Sequence, residues 1–271
     1  MSNKVKNPWN TNRITWKDPF ADGDREAFAK MGSMLCSSNL SFDKLMNSDD
    51  LQTTIQSINL NPMYWSCCLE KYRKSTGTAE LDFDTLPEPY CGDIDSPVYC
   101  LNMNPGAADP LFENDWVLLL LTLLTLQHSL PFVFWANSCF AKYMKTDNKG
   151  KLHSHSGCQW FAGRTKDLRN SLGKVPNLFM IEYFPYHSLH GFEFPSWLPS
   201  YDYTNELIEK AMCKGKFIVI MRQRDRWFKR IPKLKNYKPL AFLEYGQGGW
   251  LSERNVIYKS NAFNDLVAAL K

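Results

Sequence analysis

The pentapeptide Asn102-Met103-Asn104-Pro105-Gly106 stands directly after the apolar run Val98-Tyr99-Cys100-Leu101. An asparagine at the end of a buried strand can hold a water from both sides. Its carbonyl accepts a water proton and its amide donates to the water oxygen. Asn104 is so placed that it could aim a water at an electrophilic carbon. The plain structural alternative is an Asx-turn leading into Pro105. Other polar clusters also follow apolar runs. Tyr183-Phe184-Pro185-Tyr186-His187-Ser188 follows NLFMIE, which ends in Glu182, and Arg222-Gln223-Arg224 follows KFIVIM. Gly246-Gln247-Gly248-Gly249-Trp250-Leu251-Ser252 is a further candidate loop. His153-x-His155-x-x-Cys158 could begin a metal site, but no second ligand pair has suitable spacing. A polar surface loop is the reading adopted there, and no metal or redox cofactor is expected.

The elements that must position these residues follow from hydrophobic pattern. Residues 1–90 read as helical and loop-rich, with helices over 22–35 and 47–58, and 76–97 reads as a connecting segment. Strands are expected over 98–102, 131–136, 177–182 and 216–221, with a short fifth over 255–258. Helices are expected over 115–127, 205–213 and 261–270. Unbroken apolar strands imply a sheet buried on both faces. Strand and helix alternation then implies a three-layer α/β/α sandwich with a short, mostly parallel central sheet. Residues 1–94 form an N-terminal helical extension packed on a core of residues 95–271. The apolar run 116–135 is broken by Gln127, His128, Ser129 and Pro131, so it reads as helix, turn and strand rather than a membrane span. In such folds ligands bind beyond the carboxyl ends of the strands, where the polar clusters lie.

The run Val98 to Gly106 resembles the first motif of the uracil-DNA glycosylase superfamily. Its mismatch-specific and single-strand-selective branches carry Gly-x-Asn-Pro-Gly after a strand, and here Asn102 replaces the first Gly. Phe179-Met180-Ile181-Glu182-Tyr183-Phe184-Pro185 looks like the superfamily's base-recognition strand, and residues 246–255 sit where its DNA-inserting loop stands. The resemblance covers roughly residues 95–260. It implies a uracil-DNA glycosylase-like fold. It also implies Asn104 as the residue that directs water at C1′ of a deoxynucleotide, through an oxocarbenium-like state.

Other site residues follow. Stringent uracil enzymes carry Tyr at the Gly106 position, so glycine there implies room for a C5 substituent. Gly106 also suits a turn with positive φ. An ionised Glu182 offers acceptors only, which suits the exocyclic amine of cytosine. Its alternative is an ion pair with a nearby Arg or Lys. Met103 lies in the same turn as Asn104. Phe112, Trp116, Phe184 and Tyr186 are candidates to stack on a flipped base, and His187 is a candidate electrostatic partner. The late motif lacks the His of many relatives. Trp250 or Leu251 is a candidate wedge, with Gln247 and Ser252 beside it at the DNA.

The chain has 271 residues, 44% of them apolar, which excludes a disordered or miniature disulfide-scaffold protein. Its net charge is +4, but residues 214–238 hold ten basic residues and one acid, +9, leaving −5 elsewhere. Arg222, Arg224, Arg226, Lys229 and Arg230 make this segment a candidate phosphate-binding rim. Eight cysteines without a CxxC pair, and no visible secretory signal, point to reduced thiols in the cytoplasm. DNA is the expected partner, with no membrane. The expected activity is that of a monofunctional DNA glycosylase acting on a C5-modified pyrimidine. The alternative is a catalytically inactive glycosylase-like protein that binds DNA or a nucleotide.

Overall fold

The computed structural model describes residues 6–9, 21, 23–24, 81–82, 86–106, 125–126, 128, 144–147, 149–188, 197–246, 249–257 and 261–271. The expected elements at 47–58 and 131–136, most of those at 22–35 and 115–127, and the residues Phe112, Trp116 and Gln247 lie outside these.

The strands in chain order begin with β1 (Leu81–Asp82), β2 (Tyr90–Gly92), β3 (Val98–Leu101), β4 (Met144–Thr146) and β5 (Leu152–Ser154). They continue with β6 (Leu178–Ile181), β7 (His187–Ser188), β8 (Phe217–Ile220), β9 (Leu240–Leu243) and β10 (Val256–Ile257). Among the described residues the helices are α1 (Ser156–Arg164), α2 (Lys166–Leu172), α3 (Pro199–Cys213), α4 (Arg224–Arg230) and α5 (Ala262–Leu270). A 3-10 turn spans Pro232–Asn236. Among the described residues, no helix is long and apolar enough to cross a membrane.

Six strands form one sheet in the order β10-β9-β8-β3-β6-β2. β9, β8, β3 and β6 are parallel neighbours, and β10 and β2 run antiparallel at the edges. Every residue of β3, β6 and β8 is buried, as unbroken apolar runs require. One face carries Val98, Cys100, Leu178, Met180, Val219 and Ala241, packed in one cluster with Phe161 of α1, Leu168 of α2 and Leu266 of α5. The opposite face carries Tyr99 and Phe179, whose rings lie 4.8 Å apart. The result is an α/β protein with a mixed, mostly parallel sheet.

Several elements differ from expectation, each for a local reason. α3 starts at Pro199, not at 205, because proline fits the first turn, where its missing N–H has no intrahelical partner. α1 starts at 156 because His155 caps it, its Nδ1 accepting from the Gly157 N–H at 3.2 Å. His153 is held by Asp147 at 2.8 Å in the hairpin of β4 and β5. Both histidines are thus engaged, and no cluster suited to a metal ion occurs among the described residues. β2 lies inside the segment expected to be a connector, pairing with β6. α2 ends at Gly173, whose φ of +66° lets its N–H reach the Arg169 carbonyl.

The chain divides into two compact units, and the division does not follow a cut at residue 94. One unit comprises Glu88–Asn104, Asp109–Pro185 and Asn205–Lys271, and contains the six-stranded sheet. The other comprises Met1–Pro87, Pro105–Ala108 and Tyr186–Thr204. In that second unit β1 pairs with β7, Asp82 opposite His187. Fully buried Asp24 accepts from the Tyr186 hydroxyl at 2.8 Å, the Ser200 hydroxyl at 2.6 Å and the Ser200 N–H at 2.9 Å. A buried carboxylate is tolerable only with such partners. Gly23 stands beside it with φ +86°, and a Cβ there would come 3.0 Å from Pro199.

Candidate functional site

The register of the sheet builds the site. Leu101 lies opposite Ile181 on one side and Ile220 on the other. The next residues, Asn102, Glu182 and Met221-Arg222, therefore leave three adjacent parallel strands together at their carboxyl ends. Counted along the chain, the four parallel strands are arranged 2-1-3-4. The order reverses between β3 and β8, and such a switch point opens a crevice for ligands.

Side chains two apart share a face of a strand. Asn102 thus shares the face of Cys100, and Glu182 that of Met180. The Asn102 Nδ2 donates to Glu182 Oε1 at 3.2 Å. Glu182 Oε2 is sealed from solvent and has no hydrogen-bond partner. Burial pushes the Glu182 carboxyl up to about 8, with Glu88 adding to the shift and Asn102 and Arg222 opposing it. The expectation of an ionised, acceptor-only Glu182 is therefore corrected. Near neutral pH it is mostly a neutral acid, with one O–H donor and one carbonyl acceptor. Burial also pushes the neighbouring Cys91 thiol well up, with Glu88 and Glu182 adding to it.

The carbonyl of Asn102 is fixed as firmly as its side chain. It accepts from the Trp227 indole N–H at 3.1 Å and the Tyr183 N–H at 3.2 Å. Trp227 is fully buried in α4, edge-on to Tyr183 at 5.1 Å. Trp227→Phe removes that donor and part of the packing. It is expected to cost about 1–3 kcal/mol, read as a lower midpoint in urea unfolding. Met103 is buried, and its carbonyl accepts from the Phe184 N–H at 2.7 Å. Asn104, half-buried, follows at the rim of this unit.

No family model, curated protein or solved structure matches this chain.

Three expected base contacts are corrected by burial. Phe184 and Tyr186 are fully buried, so neither ring is free to stack on a base. Tyr186 instead donates to Asp24 and meets Trp9 edge-on at 6.0 Å. Leu251 is 1% exposed and belongs to the core, so it is no wedge. Trp250 beside it is 51% exposed. Ser252 shapes the turn, its carbonyl accepting from the N–H groups of Asn255 and Val256.

In the second unit, His187 is buried, and its Nδ1 lies 3.0 Å from the Gly106 carbonyl. A carbonyl only accepts, so Nδ1 carries the proton. The Ser188 N–H donates to the same carbonyl at 3.1 Å. Gly106 has φ +85°, and among the described residues a Cβ there would meet nothing within 4 Å. The positive φ is itself a reason for glycine at this position.

The basic segment is corrected as well. β8 and β9 are parallel, so Lys214, Lys216 and Lys238 lie at the amino ends of strands and Arg222, Arg224 and Arg226 at the carboxyl end. Four residues of strand separate the two groups by about 13 Å. Lys216 donates to the Ile94 carbonyl at 2.7 Å, and Lys214 lies 3.7 Å from Asp95. Arg230 is bound inward, donating to Asn205 and to the Tyr183 carbonyl, each at 2.7 Å. Arg224 covers the Phe242 ring at 4.7 Å, Arg226 is half-buried, and Lys229 is exposed. The carboxyl-end cations also include Arg164 of α1, which the linear charge count passed over.

Proposed function

We propose that the protein is a monofunctional DNA glycosylase. It flips out a C5-modified pyrimidine, of the modified-cytosine type such as hydroxymethylcytosine or its glucosylated form. It hydrolyses the N-glycosidic bond and leaves an abasic site, in base excision or in defence against phages with modified DNA. The fold implied is a three-layer α/β/α core like that of the uracil-DNA glycosylase superfamily.

The observation that carries this reading is the row of Asn102, Glu182 and Arg222 at the carboxyl ends of three adjacent parallel strands, with Asn104 two residues beyond Asn102. Asn104 directs the water. Asn102 holds Glu182 Oε1, and the sealed Oε2 has no hydrogen-bond partner, so a base that displaces what covers it would meet a neutral acid whose O–H suits cytosine N3 and whose carbonyl oxygen suits the N4 amine. Gly106 brings no side chain of its own against a C5 substituent, which is how the resemblance reads a glycine at that position. The oxocarbenium-like state needs charge stabilisation and a positioned water.

The test is incubation with oligonucleotides carrying uracil, hydroxymethylcytosine or glucosylated hydroxymethylcytosine, followed by alkali. Strand cleavage at the modified cytosine supports the reading. A second reading is a glycosylase-like protein that binds DNA without cutting it. It draws on Asn102, whose side chain replaces the motif's first glycine and is engaged with Glu182. Salt-dependent binding with no abasic product on any of these bases would favour it.

A further inference from the structure

Two arginines and a tryptophan meet at the carboxyl end of the sheet, on the α1 side. Arg164 stands in the last turn of α1. Its guanidinium lies 4.9 Å from the Trp250 ring centroid and 5.8 Å from that of Trp160. Its Nε is sealed from solvent and has no hydrogen-bond partner. Arg222 follows β8, and its Nε donates to the Gly246 carbonyl at 3.0 Å.

The two ends of one loop lie against both side chains. A Cβ on Gly246 would come 3.7 Å from the Arg222 Cγ, and one on Gly249 would come 3.4 Å from the Arg164 Nε. Gly249 also has φ +62°. The Leu251 N–H donates to the Arg164 carbonyl at 2.9 Å, which fastens the loop to α1. Burial, and then the charge of Arg222, hold the Arg164 guanidinium below the usual arginine range.

Among the described residues, no carboxylate forms an ion pair with Arg164. Nor does Arg164 cap its own helix, since Arg169 takes the Ala162 carbonyl at 2.8 Å. Arg164 thus carries its charge beside a second cation, and an anion there would offset both the burial and the repulsion that act on it. Exposed Trp250 and Tyr245 flank the same loop, as in surfaces that take nucleic acid.

We propose that Arg164 and Arg222 together grip one phosphodiester of a nucleic-acid strand, with Trp250 holding the Arg164 guanidinium in place. The guanidinium fork matches phosphate oxygens, and the aromatic face suits its flat cation. The proposal rests on the nucleic-acid part of the reading above and not on glycosidic chemistry.

The test uses fluorescein-labelled oligonucleotides without modified bases, single-stranded and duplex, followed by anisotropy through a salt series. Arg164→Gln is expected to weaken binding about tenfold and to reduce the slope of log affinity on log salt by about 0.7–0.9. Arg164→Lys keeps the charge and is expected to keep the slope. Arg222→Gln carries the same expectation as Arg164→Gln, should the latter fail to fold. A slope change in either the single strand or the duplex supports the proposal and tells which form supplies the phosphate. Wild-type affinity and slope in Arg164→Gln overturn it, as does a wild-type protein that binds neither oligonucleotide. Weaker binding with an unchanged slope also overturns it, because Arg164 would then act through the fold. An Arg164-dependent slope without any abasic product on modified bases leaves this proposal standing and removes the glycosylase reading.

Discussion

Asn104→Ala is expected to lower the rate of base excision by about 10²- to 10⁴-fold while moving the melting temperature by no more than about 2 °C. The asymmetry follows from where Asn104 stands. It lies beyond the end of β3 and is half-buried, so the sheet does not depend on its side chain for packing. Water at an oxocarbenium-like centre is a weak nucleophile, and holding it in line removes much of the entropic barrier. Alanine keeps the backbone and deletes both the carbonyl that accepts from the water and the amide that donates to it. Asn104→Asp is expected to retain far more activity than alanine. A carboxylate still accepts from the water and adds negative charge toward the developing cation. Single-turnover assays with the modified-cytosine oligonucleotides, read beside thermal melts, decide the matter. Wild-type excision by Asn104→Ala would remove Asn104 from the chemistry. Loss of activity only together with a collapsed melting temperature would make its role structural.

The central sheet is legible in the sequence because its strands bury both faces. Residues 98–102, 177–182 and 216–221 are unbroken apolar runs with polar residues at each side, and the structure forms β3, β6 and β8 inside them. Register is what a single chain does not print. The pairing of Leu101 with Ile181 is what sets Asn102 against Glu182, and neither run alone announces it. α1 is hidden by composition: SGCQWFAGR has two glycines and no clear apolar period, and its cap is a histidine. α4 is hidden by charge, since five of its seven residues are ionisable and only Trp227 reaches the core. β9 escaped because LAFL is short and follows a lysine-proline pair.

The site was legible in part, and the same physics marks the limit. A residue type placed after a strand can be read from the chain, as with Asn104, Glu182 and Arg222. Whether a ring faces a ligand or the core cannot, and Phe184 and Tyr186 turned out to be buried. Charge counted along the chain also misleads when the backbone reverses. The +9 segment runs up β8 and back through α4, so its two ends lie at the amino end of the sheet and its middle at the carboxyl end. Arg164 joins the carboxyl-end cations from a different stretch of sequence. A count by sheet end would have found it, and a count by segment could not.

Excision of a cytosine-type base is expected to fall as pH rises through about 8, and Glu182→Gln is expected to remove that fall. Burial opposes the charge of the folded Glu182 and pushes its carboxyl up to about 8, from an ordinary value of 4.5. In the proposed complex, below about 8 the neutral acid would donate to the N3 of cytosine and accept from its amine. Above it, the carboxylate loses the donor and places negative charge against the N3 lone pair. Glutamine carries a donor and an acceptor at every pH, so its profile should be flat across this range. Glu182→Asn shortens the side chain and is expected to shift preference toward uracil-like bases. Stability carries the same signature with a definite sign. The folded state keeps a proton that the unfolded chain releases, so the contribution of Glu182 is complete below 4.5 and is lost as pH rises toward 8. The loss is on the order of a few kcal/mol, read as a melting temperature that declines across that window. In Glu182→Gln the decline should be much shallower, since nothing at that position titrates. A wild-type melting temperature flat through this window would mean that Glu182 is ionised when folded. Unchanged base selectivity in Glu182→Asn would mean that the carboxyl does not read the base.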